Sequence, residues 1–540
     1  MVSPATSDTK RAPIGARKSG SDRRASWWLR LIIALVALVF SAPVIFLVVE
    51  TADFSEGIGR IFGSSEWVVP LLNSLGLAGS VTLGSMVVGA GLAILISRTD
   101  LPGQRLWRLL LALPLVIPSF VGATALIAAT GPGSLLPFVP RLEGFAGSFV
   151  VLTLFTYPYV LLPVLASLAA TPTSAEEASR LLGRSGFQTG VRVLLPQLAP
   201  AISAGGLLVF LYVLSDFGAV ALLRFDTLTR VIYSSRLLDP ALALTLGLLL
   251  AVLALLISVA MRRVRLPSEP PVSRSHQRYR YRLGKSMPLG FLIAGLPVFA
   301  GLVLPIVIFA TWMFRGSSTI GVGYSGWGDD VGFLFGPMLG STAASVSAAI
   351  AGVLITLPVA FAVVRRSERL SRFAADIVTS LFALPGLVIA LALVAWIVGA
   401  PGPLGALYQT FPLLILGYVL HFGAQALGSG QAAFRAVPLR FDEAAATLGA
   451  GQKRRFLKVD LPLVAPGLLT AGGLVLLSTL KELPLTLMLA PTGYKTLATA
   501  IWGAANDGFY AEVGIASLTL IALSGVLTWF LVLRGRLGES

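Results

Sequence analysis

Charge is scarce in this chain and cysteine is absent. Only 12% of its 540 residues are charged, while 56% are hydrophobic, and the mean hydropathy is +0.85. A soluble chain of this length needs far more charged surface to stay dispersed. Without cysteine there are no disulfides, no thiolate metal ligands and no redox centre. The two histidines, His276 and His421, stand far apart, and no nucleophile–base constellation is evident. Gly284-Lys285-Ser286 has the ending of a phosphate-binding loop, but Tyr279 occupies the position where that motif requires glycine. No catalytic residues, metal ligands or cofactor are therefore expected, and ATP hydrolysis is not expected of this chain.

What is present is a series of long apolar runs, about twelve of them, each able to cross a bilayer core. They fall at about 29–49, 68–97, 107–130, 146–170, 197–223 and 240–261, then at about 289–314, 335–364, 374–399, 411–434, 463–490 and 511–533. Lipid offers no partners for backbone groups, so helices are the default, and strand-like alternation is missing. The expected fold is an all-α polytopic membrane protein. The first run follows a basic stretch but is too long for a typical signal-peptide core, and Trp27-Trp28 suits an interfacial anchor.

Basic residues set the orientation. Placing the N-terminus in the cytoplasm puts 33 Lys and Arg residues in cytoplasmic segments against 7 on the opposite face. Such a bias in mostly short loops is a positive-inside signal. The net charge of +16 is accordingly read as topology and not as a nucleic-acid surface. Both termini are expected in the cytoplasm of a bacterial cell, with the chain embedded in the plasma (inner) membrane.

The chain also divides. Residues 1–26 read as a basic disordered tail. A first module at 27–261 and a second at 289–536 are joined by a polar, basic linker at 262–288. The modules repeat. At an offset of 266, EEASRLLGRSGFQTGVRVLLPQLAP aligns with DEAAATLGAGQKRRFLKVDLPLVAP. Glu177 meets Glu443, Ala178 meets Ala444, Gly183 meets Gly449, Pro196 meets Pro462, and Asp216 meets Glu482. Further on, Thr227-Leu228 and Ile232-Tyr233 meet Thr496-Leu497 and Ile501-Trp502. The duplication is parallel. Both repeated loops, at about 173–196 and 438–462, fall in cytoplasmic positions. Each reads as a short helix closed by a left-handed glycine. Pro196 and Pro462 are then expected to break the chain before the next span.

This doubled loop resembles that of the permease subunits of type I ATP-binding-cassette importers, over nearly the whole chain. The resemblance implies two tandem six-helix permease modules. It makes Glu177, Ala178, Gly183, Pro196, Glu443, Ala444, Gly449 and Pro462 the coupling positions. It also implies a lipid bilayer setting, a separate cytoplasmic ATP-binding subunit, expected as a dimer, and an extracytoplasmic substrate-binding protein. The segments SDFGAVALLRFDTLTRVIY and KELPLTLMLAPTGYKTLATAIW further resemble those of ferric-iron importer permeases, with thiamine and phosphonate importers as the alternatives.

Few ionisable groups lie within the runs. Asp216 and Glu482, with Lys481 beside the latter, are expected about 24 Å along their helices from Pro200 and Pro466, toward the outer face. They read either as a substrate pathway or as carboxylates satisfied locally. His421 is expected to be hydrogen-bonded packing. A secondary transporter would carry several mid-membrane acids, which this chain lacks, and a membrane enzyme would need a constellation that is missing.

Overall fold

The computed structural model describes residues 27–53, 65–131, 134–171, 174–263, 281–319, 326–400 and 402–537, with the single residues 59 and 63. The tail 1–26 and linker residues 264–280, including His276, lie outside the described residues. Among the described residues the architecture is helical, with no strand beyond isolated bridges at Thr99–Tyr281 and Thr130–Leu136. Among the described residues ten helices are long and apolar enough to cross a membrane, or up to twelve if each of two bent pairs counts as one span.

The first half runs α1 (Trp27–Asp53), α2 (Val68–Arg98), α3 (Gln104–Leu110), α4 (Ser119–Ala129), α5 (Gly144–Ala170), α6 (Ser174–Leu181), α7 (Gly186–Ser215), α8 (Gly218–Leu222), α9 (Leu228–Ser235) and α10 (Pro240–Arg263). The second half repeats this order as α11 (Gly284–Phe314), α12 (Gly326–Arg365), α13 (Arg369–Leu381), α14 (Gly386–Gly399), α15 (Phe411–Ala436), α16 (Arg440–Thr447), α17 (Gln452–Leu480), α18 (Pro484–Leu489), α19 (Leu497–Asp507) and α20 (Tyr510–Leu537).

Three expectations about continuity need correction. The runs at 107–130 and 374–399 are not straight: the chain turns by 89° between residues 104–116 and α4, and by 106° between α13 and α14. Pro118 and Pro385 sit at the two corners, each extended and each immediately ahead of the second limb. Proline forces the residue before it out of helical geometry and supplies no N–H to continue the ladder. The runs at 197–223 and 463–490 are interrupted too, at Asp216-Phe217 and at Lys481-Glu482-Leu483.

Conversely, Pro196 and Pro462 do not break the chain. Each lies inside a continuous helix, directly after a π-turn (Gly190–Leu194 in α7, Phe456–Asp460 in α17). The widened turn bonds Leu195 N–H to Gly190 O and Leu461 N–H to Phe456 O. It thereby takes up the misfit that a proline ring makes with the preceding turn. α11 repeats the device, with a π-turn at Phe299–Val303 followed by Leu304-Pro305.

The halves are interlocked. α1 packs against α12, α13 and α14 of the second half, and α11 packs against α2, α4 and α5 of the first. One apolar core accordingly joins Ile33, Phe40 and Leu47 to Val388, Tyr418 and Phe434, and the other joins Ala294 and Phe309 to Leu77, Leu152 and Val209. In lipid such association depends on close packing more than on expulsion of water. Gly89 and Gly205 show the closeness: a β-carbon on either would come within 2.7 Å of the Tyr157 or Tyr159 carbonyl of α5.

Candidate functional site

Two regions carry the chemistry: the repeated loops at one end of the bundle, and the breaks where its inner helices stop.

In the loops, α6 and α16 are closed by the same turn. Gly183 N–H reaches Arg180 O (2.9 Å) and Arg184 N–H reaches Ser179 O (3.3 Å); Gly449 and Ala450 repeat these bonds to Ala446 and Ala445, both at 3.0 Å. Gly183 and Gly449 have φ of 80° and 76°, the left-handed region in which this paired motif places glycine. Glu177, Ala178, Glu443 and Ala444 are exposed, as are Leu181, Leu182, Phe187 and Leu448. An apolar, acid-tipped surface therefore faces outward from each loop.

The residues that fasten these loops went unrecognised in the sequence. Arg98, the last residue of α2, pairs with Glu176 in the first turn of α6. Nε and Nη2 both lie 3.0 Å from Oε1, with the two side chains 2% and 1% exposed. Burial pushes the Glu176 carboxyl above its ordinary range, and the Arg98 guanidinium pulls against that rise. Arg365 ends α12 in the same way but meets different partners, Val437 O and Asp460 Oδ1, both at 3.1 Å. Asp442, the repeat counterpart of Glu176, lies instead 3.5 Å from Arg455. The signal was available: an arginine ends the second helix of each half, and Glu176 stands beside the matched Glu177.

At the breaks, Asp216 follows the last residue of α7. Its Oδ1 accepts a hydrogen bond from Ala219 N–H (3.0 Å), and its Oδ2 accepts one from the Ser119 hydroxyl just beyond the bend at Pro118. Glu482 follows α17 by two residues, and its Oε1 accepts from Leu485 N–H at 3.2 Å. Across from it stands Gly386, just beyond the bend at Pro385. A β-carbon there would lie 2.8 Å from Glu482 Oε1. The first half thus pairs serine with the shorter acid, and the second pairs glycine with the longer one. Phe217, next to Asp216, is touched by the repeat-related Tyr233 and Trp502, with ring centres 4.5 and 5.2 Å away.

Lys481 does not turn to Glu482. Its Nζ donates to Leu115 O (3.2 Å) in the bent segment of the first half. Among the described residues neither carboxylate is ion-paired, and both are held by neutral donors. Non-helical backbone within a membrane bundle is tolerated where it is buried in protein or lines a cavity. His421 packs between Phe382 and Phe422, and its Nδ1 has no hydrogen-bond partner among the described residues. Among the described residues no group of three or more His, Asp and Glu side chains gathers as a resident metal would require.

A duplicated helical bundle with repeated loops and paired breaks defines a polytopic membrane permease. A family model described as "binding-protein-dependent transport system inner membrane component" matches residues 85–265 and again 348–534, and the chain belongs to that family. The chain is similar to the Fe(3+)-transport system permease protein FbpB 2 of Haemophilus influenzae, 28% identical over 94% of this chain and 98% of the relative. It is also similar to the ferric transport system permease protein FbpB of Actinobacillus pleuropneumoniae, 24% identical over 88% of this chain and 72% of that one. The putative 2-aminoethylphosphonate transport system permease protein PhnU of Salmonella typhimurium is 26% identical over 43% of this chain and 88% of its own length.

Proposed function

We propose that this chain forms the pore of an ATP-driven importer that moves ferric iron from an extracytoplasmic binding protein into the cytoplasm. Hydrolysis takes place on a separate dimer of ATP-binding subunits. These dock on α6 and α16, where Glu177, Ala178, Gly183, Glu443, Ala444 and Gly449 present the coupling surface; Pro196 and Pro462 lie within α7 and α17, the helices that receive the movement. Both termini and the linker lie in the cytoplasm.

The observation that carries the cargo assignment is the pair of carboxylates at repeat-related breaks, Asp216 and Glu482, each held only by neutral donors among the described residues. Negative charge focused inside a low-dielectric bundle attracts cations, and carboxylate oxygens suit a hard ion such as Fe(III). Relatives that match both modules and are named for ferric transport support the same reading. Lys481, beside the pair, places a positive group at the first half's bend.

The test is uptake of radiolabelled ferric iron, thiamine and 2-aminoethylphosphonate in a deletion strain with no redundant importer, grown under iron limitation. Loss of iron uptake alone, restored by the gene, is expected. Unchanged iron uptake, with either other substrate lost, contradicts the assignment.

A further inference from the structure

The end of the linker is built into the first coupling segment. Tyr281 N–H donates to Arg98 O (2.7 Å), Asp100 N–H donates to Tyr281 O (3.1 Å), and Leu283 N–H donates to Asp100 Oδ1 (2.8 Å). This short parallel bridge pins the Tyr281 ring against the loop. The Arg180 guanidinium lies 4.9 Å from the ring centre. A β-carbon on Gly186 would come within 3.1 Å of the ring. Arg180 is in the last turn of α6 and Gly186 opens α7, so one ring spans the turn made at Gly183. Arg98, whose carbonyl holds Tyr281, holds Glu176 at the other end of α6 with its side chain. α6 is therefore fastened to the tip of α2 at both ends.

The second half is fastened differently. Arg365 grips the two feet of its loop, Val437 and Asp460, and not α16 itself. The repeat counterpart of Arg180 is Ala446, which offers no charge to a ring. After Arg365 the chain turns at Ser367 (φ 53°) straight into α13.

We propose that Tyr281 is a positioning residue for coupling: it straps the first coupling segment to the membrane body, so that α6 moves with α2 as one piece while α16 flexes on its feet. The proposal rests on the reading of α6 and α16 as the ATPase-docking segments. Its test separates the two.

The chain has no native cysteine, so Leu182→Cys and Leu448→Cys, exposed and repeat-related, can each carry a single nitroxide in the full-length protein in lipid nanodiscs. The label at 182 is expected to be less mobile than that at 448. Tyr281→Ala should raise the mobile fraction at 182 by about two- to fivefold, the shift expected on loss of an exposed cation–π contact, and leave 448 unchanged. Arg180→Gln should reproduce the effect with the backbone bridge intact, and Tyr281→Phe should behave as the native residue. In liposomes with the ATPase and binding protein, substrate moved per ATP should fall in Tyr281→Ala and recover in Tyr281→Phe. Equal mobility at the two labels, or no response at 182 to Tyr281→Ala, overturns the strap. A response at 182 with unchanged transport per ATP overturns the positioning role. Failure of the ATPase to copurify with the native chain contradicts the docking reading and leaves the strap standing on its own measurement.

Discussion

Arg98 and Arg365 end the second helix of their respective halves, yet one grips α6 and the other grips the feet of the loop that carries α16. Likewise Ser119–Asp216 and Gly386–Glu482 stand at matching breaks, one with a hydroxymethyl on the wall and the shorter acid, the other with a bare wall and an acid one methylene longer. Duplication preserved the placement of charge while the partners that hold it diverged. What persists is a buried cation where the second helix meets the loop and a carboxylate where the fifth span stops. These two features have to be explained by function, and the fastenings around them by packing.

The largest expected effect tests the first fastening. Arg98→Met leaves Glu176 buried without its partner, which costs on the order of 3–5 kcal/mol, whereas replacing a buried pair together by apolar groups is often neutral. Thermal unfolding of the purified protein should therefore show Arg98→Met strongly destabilised and Arg98→Met/Glu176→Leu largely restored. Arg365→Met should be rescued by Asp460→Leu and not by Asp442→Leu. Rescue by the Asp442 change would mean that the halves are fastened alike.

A smaller effect is expected at the breaks. Gly386→Ser places a side chain 2.8 Å from Glu482 Oε1. Such overpacking costs roughly 1–3 kcal/mol and should depress uptake. Gly386→Ser/Glu482→Asp recreates the first half's arrangement and should recover uptake. A double variant no better than the single would break the equivalence of the two sites.

The smallest effect lies in the loop glycines. A β-carbon at Gly183 or Gly449 meets nothing within 4 Å, so valine there is opposed by backbone strain alone, on the order of 1 kcal/mol. Gly449→Val should lower transport per ATP hydrolysed. Gly183→Val should do so less, because Arg98 and Tyr281 hold the first segment in place.

Much of this was legible in sequence, for reasons that also explain what was not. Apolar runs and an offset of 266 reveal spans and duplication because both are local patterns. The left-handed glycines were legible because glycine just past a short helix is a local closing signal. Hydropathy, however, is blind to direction, so the corners at Pro118 and Pro385 read as continuous spans. Pro196 and Pro462 misled in the opposite sense, since a π-turn that accepts proline leaves no mark in composition. Glu177 drew notice by matching Glu443 letter for letter, whereas Glu176 is the acid held by Arg98, a partner 78 residues away. The packing of α1 and α11 across the two halves is likewise a long-range fact, beyond any periodicity.

The carboxylate pair is the centre of the account, and it can be tested directly. Asp216→Asn, Glu482→Gln and the double variant would be reconstituted with ATPase and binding protein in liposomes, and radiolabelled ferric iron uptake followed alongside ATP hydrolysis. Each single change should lower uptake, the double change should lower it further, and assembly and basal hydrolysis should persist. A double variant that assembles and takes up iron at the native rate would contradict the pair's role.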